Sequence, residues 1–123
     1  MIVAGLGFRS AAPAASLAEA LRLALAKTTL QPEALATLPH KTTAPALRDL
    51  AAVMGLPVHA VAVAGKPTAT QSPRIQAGFH TGSVAEAAAL VAAGPGGQLV
   101  VSRVVSADGM ATAAIAAGKG LML

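Results

Sequence analysis

The sequence predicts an α/β fold: a single three-layer α/β/α domain over residues 1–123, with a mixed, mostly parallel sheet of about five strands and a C-terminal antiparallel hairpin. Three observations carry this expectation. Apolar, β-branched or alanine-rich runs alternate with segments of helical spacing in the order βαβαβ–loop–αββ. Serine or threonine opens each helical segment, and Gly or Pro ends the second and third. The last two apolar runs are separated by "SADG", whose Asp108-Gly109 pair favours a tight antiparallel turn.

Taken in order, "MIVAGLGF" reads as a buried strand that breaks at Gly5 and Gly7. "SLAEALRLALAK" follows as a helix, with Ser16 and Glu19 in capping-box positions and Leu17, Leu21, Ala24 and Leu25 on one face. "ALATLPH" is a short strand ending near Pro39. "TAPALRDLAAVMGLP" is a helix with Thr43 as cap, Pro45 in its first turn, and Leu47, Leu50, Ala51 and Met54 as its buried stripe. "PVHAVAVAG" alternates as a strand does. Residues 66–82 have no clean period and read as a long ordered loop. Ser83 and Glu86 then mark the start of a helix that Gly94-Pro95 ends, and "QLVVSRVV" and "MATAAIAAG" form the closing hairpin.

Composition narrows the chemistry. Alanine supplies 32 of 123 residues and aromatics only two, so the core must rely on close backbone approaches, and aromatic stacking of single-stranded nucleic acid is poorly supported. Nine basic residues against five acidic ones give a formal charge of +4. They are scattered with no Lys/Arg run, which argues against nucleic acid as a partner. With no cysteine, disulfides, thiolate catalysis and thiolate metal sites are excluded. The amino terminus lacks a basic n-region and no apolar run approaches a bilayer span, so a cytoplasmic protein without membrane association is expected.

Catalytic signatures are weak. "GLGFRS" places Gly5 and Gly7 after a strand and before a helix, a setting that can cradle an anion, and Arg9 adds a cation. As a dinucleotide fingerprint it fails, because Ser10 stands where the third glycine belongs and no acid ends the second strand. His40, His59 and His80 lack helical metal-pair spacing, so no metal and no cofactor are expected. Of the three, His80 is the loop candidate for acid–base chemistry. The five carboxylates are accounted for by caps, a turn and exposed positions, and no serine sits in an elbow motif. What recurs is a cationic theme: Arg9, Lys41, Arg74 and Arg103 fall in loops or at strand ends, near several helix starts. In an open α/β sheet these gather at the carboxyl edge, where they would suit a ligand with several carboxylates.

The segments "GFHTGSVAEAAALVAAG", "VAGLGFRSAAPAASLAEAL", "LPHKTTAPALRDLAAVMGLPV" and "LVVSRVVSADGMATAAIA" together cover nearly the whole chain. Their combination resembles the CobE/CbiG C-terminal domain family of cobalamin biosynthesis, most closely its stand-alone CobE type. The resemblance implies a role in building the corrin ring. Its ligands would be precorrins, tetrapyrroles ringed by acetate and propionate carboxylates, with other pathway enzymes as further partners. It also implies site roles for Arg9, Lys41, and Thr81 with Ser83, and Gly82 between them is a further ligand-binding candidate. Arg74 and His80 join them by loop placement alone. Phe8 departs from the small residue or cysteine expected before the arginine.

Three readings of function stay open at this point. The first is binding of a polycarboxylate precorrin or corrin, with processing or hand-over to the next enzyme. The second is hydrolytic opening of a cobalt-precorrin lactone with release of acetaldehyde, as in the two-part family members, with His80 as base. The third is a non-catalytic assembly partner of other corrin-pathway enzymes.

Overall fold

The structure, a computed structural model, describes residues 1–61 and 84–118. Its elements are β1 (Ile2–Phe8), α1 (Ala14–Leu25), β2 (Ala34–Thr37), a 3-10 turn (Pro39–Lys41), α2 (Pro45–Met54), β3 (Val58–Ala60), α3 (Val84–Ala93), β4 (Gln98–Val105) and β5 (Ala111–Ala117). The strands form one sheet in the order β3-β2-β1-β5-β4. β1 pairs in parallel with β2, and β2 with β3, while β5 runs antiparallel to both β1 and β4. Four strands therefore point one way and β5 alone opposes them, which is the mixed, mostly parallel sheet expected.

Alternation along β1 assigns the two faces. Ala4 and Leu6, with Ile2 and Phe8 at the margins, join Leu17, Leu21, Leu35, Leu47, Leu50 and Ile115 under α1 and α2. Val3 packs on the other face with Ala36, Ala87 and Ala88 under α3. Leu6, Leu17, Leu21, Leu35 and Leu47 are fully buried. Each contributes roughly 1.5–3 kcal/mol by leaving water. Helix α3 carries five consecutive buried residues, Ala85 to Ala89, as a helix enclosed on all sides does.

Glycine has a different use here from the one expected. The strand break at Gly5 and Gly7 is absent: β1 runs unbroken to Phe8 and pairs with β5 along its whole length. A Cβ at Gly5 would lie 2.0 Å from the Ala85 carbonyl oxygen and 2.6 Å from the Ala89 nitrogen. Gly5 thus lets the α3 backbone lie directly on the strand. It is a packing position under a helix.

Helix starts also differ in detail. α1 begins at Ala14 with Pro13 as N-cap and no side-chain cap, so Ser16 lies inside the helix, buried. α2 is preceded by Ala44, not Thr43, with Pro45 in its first turn as expected. Its buried residues are Leu47 and Leu50, whereas Met54 is 37% exposed and the neighbouring Val53 84%. The second predicted strand splits into β2 and the 3-10 turn, because Pro39 lacks the N–H a parallel ladder needs. Of the third, Val58–Ala60 is strand, and residues 62–65 and the loop expected over 66–82 lie outside the described residues. The hairpin forms as read, with Gly109 at φ 73° in its turn.

Candidate functional site

Parallel strands bring the ends of β1, β2, β3 and β4 to one rim of the sheet, and β5 begins there. Thr37 closes β2. Its buried hydroxyl donates to the Leu6 carbonyl at 2.8 Å, so the strand end keeps no unpaired side-chain donor. The chain then turns through Pro39–Lys41, and Lys41 folds back over β1. Its ammonium donates to the Phe8 carbonyl at 2.9 Å and stands 5.0 Å from the centre of the Phe8 ring. An ammonium has three donors. The carbonyl takes one, and the ring face adds a cation–π attraction worth about 0.5–1 kcal/mol near a surface.

Arg9 follows Phe8 directly and is exposed. Its backbone N–H donates to the Met110 carbonyl at 3.0 Å, which extends the β1–β5 pairing one step beyond the strand. Gly7 is half-buried at the same rim. A Cβ there would sit 3.7 Å from both the Ala85 nitrogen and the Val84 Cβ, so the first turn of α3 abuts Gly7. Thr112 completes this part of the rim, its hydroxyl donating to the Gly7 carbonyl at 3.3 Å. The structure therefore places Gly7, Arg9 and Lys41 at the end of β1, with the first turn of α3 against Gly7. Arg74, His80, Thr81, Gly82 and Ser83 lie outside the described residues.

The starts of α1 and α2 open on the same rim, since each follows a strand that ends there, and neither has a side-chain cap. Free N–H groups at helix starts favour negative charge close by.

Two features escaped sequence reasoning. Glu86, matched to a capping box, is fully buried, and its Oε2 accepts from the Arg103 backbone N–H at 3.1 Å. The carboxylate reaches from α3 to the outer strand β4, next to the irregular register between Val101 and Val104. Its burial gives no period or motif to read. The second is a knot at the β4–β5 turn. Asp108 Oδ1 accepts from the Ser106 hydroxyl at 2.6 Å and the Met110 N–H at 3.0 Å, and Oδ2 accepts from the Ser16 hydroxyl. Hydrogen bonds from Ser106 and Ser16, with the Met110 N–H, hold the Asp108 carboxyl down at about 2. Glu19, read as a capping acid, accepts instead from the Ala107 N–H at 2.7 Å.

The other histidines offer no chemistry together. His40 is exposed in the 3-10 turn, and His59 sits within β3 opposite Ala36. No group of three or more His, Cys, Asp or Glu among the described residues is placed to hold a metal ion. No described helix is long and apolar enough to cross a membrane.

Fold and rim define a three-layer α/β protein with a cationic edge at the carboxyl ends of its parallel strands. Comparison with known proteins makes this specific. Residues 2–116 match the family model described as cobalamin synthesis G C-terminus, and the chain belongs to that family. It is a cobalamin biosynthesis protein of the CobE/CbiG C-terminal type. The crystal structure of cobalamin biosynthesis protein chiG from Agrobacterium tumefaciens is 35% identical, with a TM-score of 0.73 over 97% of this chain and 99% of that one. CobE, from the cobalamin (vitamin B12) pathway, is 30% identical, with a TM-score of 0.75 over 94% of this chain and 89% of that one. No curated protein matches the chain significantly.

Proposed function

We propose that the chain binds a polycarboxylate precorrin or corrin intermediate at the carboxyl rim of its sheet, and hands it on within the pathway. The observation that carries this reading is the fold-back of Lys41 onto Phe8, which anchors its ammonium at the end of β1, one residue before Arg9 in the chain. Carboxylates around a tetrapyrrole spread over many ångströms and in several directions. Separate cations and helix starts along one edge suit such a ligand better than a single deep pocket does. Membership of a cobalamin biosynthesis family supplies the ligand class.

The two cations play different parts. Lys41 is anchored and directional, since its reach is set by the Phe8 carbonyl. Arg9 has a fixed backbone and an exposed side chain, so its bidentate fork is the adaptable grip. The lactone-opening alternative rests on His80, outside the described residues, and no described feature favours it.

Titration of the purified chain with hydrogenobyrinic acid tests the reading. A shift of the corrin absorption band, with pigment retained on gel filtration, is the expected result. An unchanged band and no retained pigment contradict it.

A further inference from the structure

We propose that Asp108 is a positioning residue for Arg9: it fastens the β4–β5 turn to α1 and thereby sets where the arginine starts at the ligand-binding rim. The inference rests on the reading that this rim takes a polycarboxylate.

One chain of hydrogen bonds links Asp108 to Arg9. Asp108 accepts from the Met110 N–H at 3.0 Å, and the carbonyl of Met110 accepts from the Arg9 N–H at 3.0 Å. Met110 is thus held from one side and holds Arg9 on the other. The Arg9 carbonyl then accepts from the Ala12 N–H at 3.0 Å, which tightens the link between β1 and α1. At the far end of that link Ser16 donates to Asp108. Both ends of the connection that carries Arg9 are therefore tied to one carboxylate.

A hairpin turn needs less than this. The bonds of Ser106 and Met110 to Asp108, with the Gly109 N–H donating to the Ser106 carbonyl at 2.9 Å, already satisfy the turn locally. Two contacts go beyond it, Ser16 to Asp108 and Ala107 to Glu19, and both run to the first turns of α1. They lock the turn against the element that follows Arg9. A cation whose backbone is fixed in advance loses less freedom when it grips a ligand. With three donors on it, the Asp108 carboxylate is engaged by the turn and by α1.

The test combines ligand binding with amide hydrogen exchange on the full chain. The probe is hydrogenobyrinic acid, and the variants are D108A, S16A, R9A and the doubles R9A/D108A and R9A/S16A. D108A is expected to weaken binding about tenfold in the wild-type background and less than about twofold once Arg9 is gone. S16A, which leaves the local turn intact, should show the same pattern with a smaller loss. Without ligand, exchange at the Arg9 amide should quicken by about tenfold in D108A while Gly5, two hydrogen-bonded pairs further into the β1–β5 ladder, stays protected. Losses that add fully to that of R9A would overturn the positioning role, as would an Arg9 amide whose exchange is unchanged. Failure of the wild-type chain to retain pigment at all would instead strike the binding reading, and the inference with it.

Discussion

The Lys41 ammonium donates to the Phe8 carbonyl, 2.9 Å away, and rests over the same residue's ring. One residue thus fixes a cation twice, by its backbone and by its side chain. Phe8 stands where the family resemblance implies a small residue or cysteine, and here it steadies Lys41. Removing the ammonium should remove one charged contact. K41M is expected to weaken hydrogenobyrinic acid binding by about 1–3 kcal/mol and to flatten the dependence of affinity on salt. Equilibrium titration at several ionic strengths checks both. F8L, which keeps the carbonyl and loses the ring, should cost about 0.5–1 kcal/mol.

Gly5 is the position where the two layers touch most closely. With a notional Cβ 2.0 Å from the Ala85 oxygen, the obstruction is helix backbone and no rotamer relieves it. Gly5→Ala should therefore destabilise the fold by about 3 kcal/mol or more, the upper end of overpacking costs. Urea unfolding would read this as a lower midpoint. A change under about 0.5 kcal/mol, the range of ordinary surface substitutions, would mean that α3 does not lie on β1 as described.

Buried Glu86 holds the outer strand from beneath. E86A removes the acceptor used by the Arg103 N–H and leaves a void, so a loss of about 2–4 kcal/mol is expected. E86Q keeps an acceptor oxygen and the volume, and should cost less. Comparing the two unfolding midpoints, with amide exchange at Arg103 as a local reporter, separates acceptor loss from a general packing defect.

Asp108 gives the fold a defined acid sensitivity. Its carboxyl titrates at about 2 in the folded chain, against about 3.9 for an unperturbed aspartate. Between these values the unfolded chain binds more protons, so stability rises with pH. The contribution is complete above about pH 4 and disappears as pH falls through about 2. D108N should remove this component of the acid limb in pH-dependent thermal unfolding. An acid limb identical in wild type and D108N would contradict the assignment.

Much of the architecture was legible because periodicity and punctuation are local. The apolar run in "MIVAGLGF", the stripe of α1 and the Asp108-Gly109 turn each fix an element without knowledge of the rest. The rim was legible for a similar reason. Arg9 and Lys41 follow the ends of β1 and β2, and parallel strands place such ends together. The glycines misled because Gly-x-Gly after a strand resembles a loop, and its true cause is a helix some 80 residues later in the chain. Ser16 and Glu19 misled in the same way. Their spacing fits a capping box, but both reach the β4–β5 turn, a tertiary neighbour that no local pattern announces. Glu86 was readable as the acid of a first turn and unreadable as a buried one.

The central claim is that carboxylates of the ligand meet this rim and not another part of the surface. Amide chemical shifts followed while hydrogenobyrinic acid is added to the isotopically labelled chain test it most directly. The account predicts the largest changes at Gly7, Arg9, Lys41 and Thr112, with the opposite end of the sheet, at Leu99 and Ala117, unmoved. Changes concentrated around Leu99 and Ala117, with Arg9 and Lys41 silent, would contradict it.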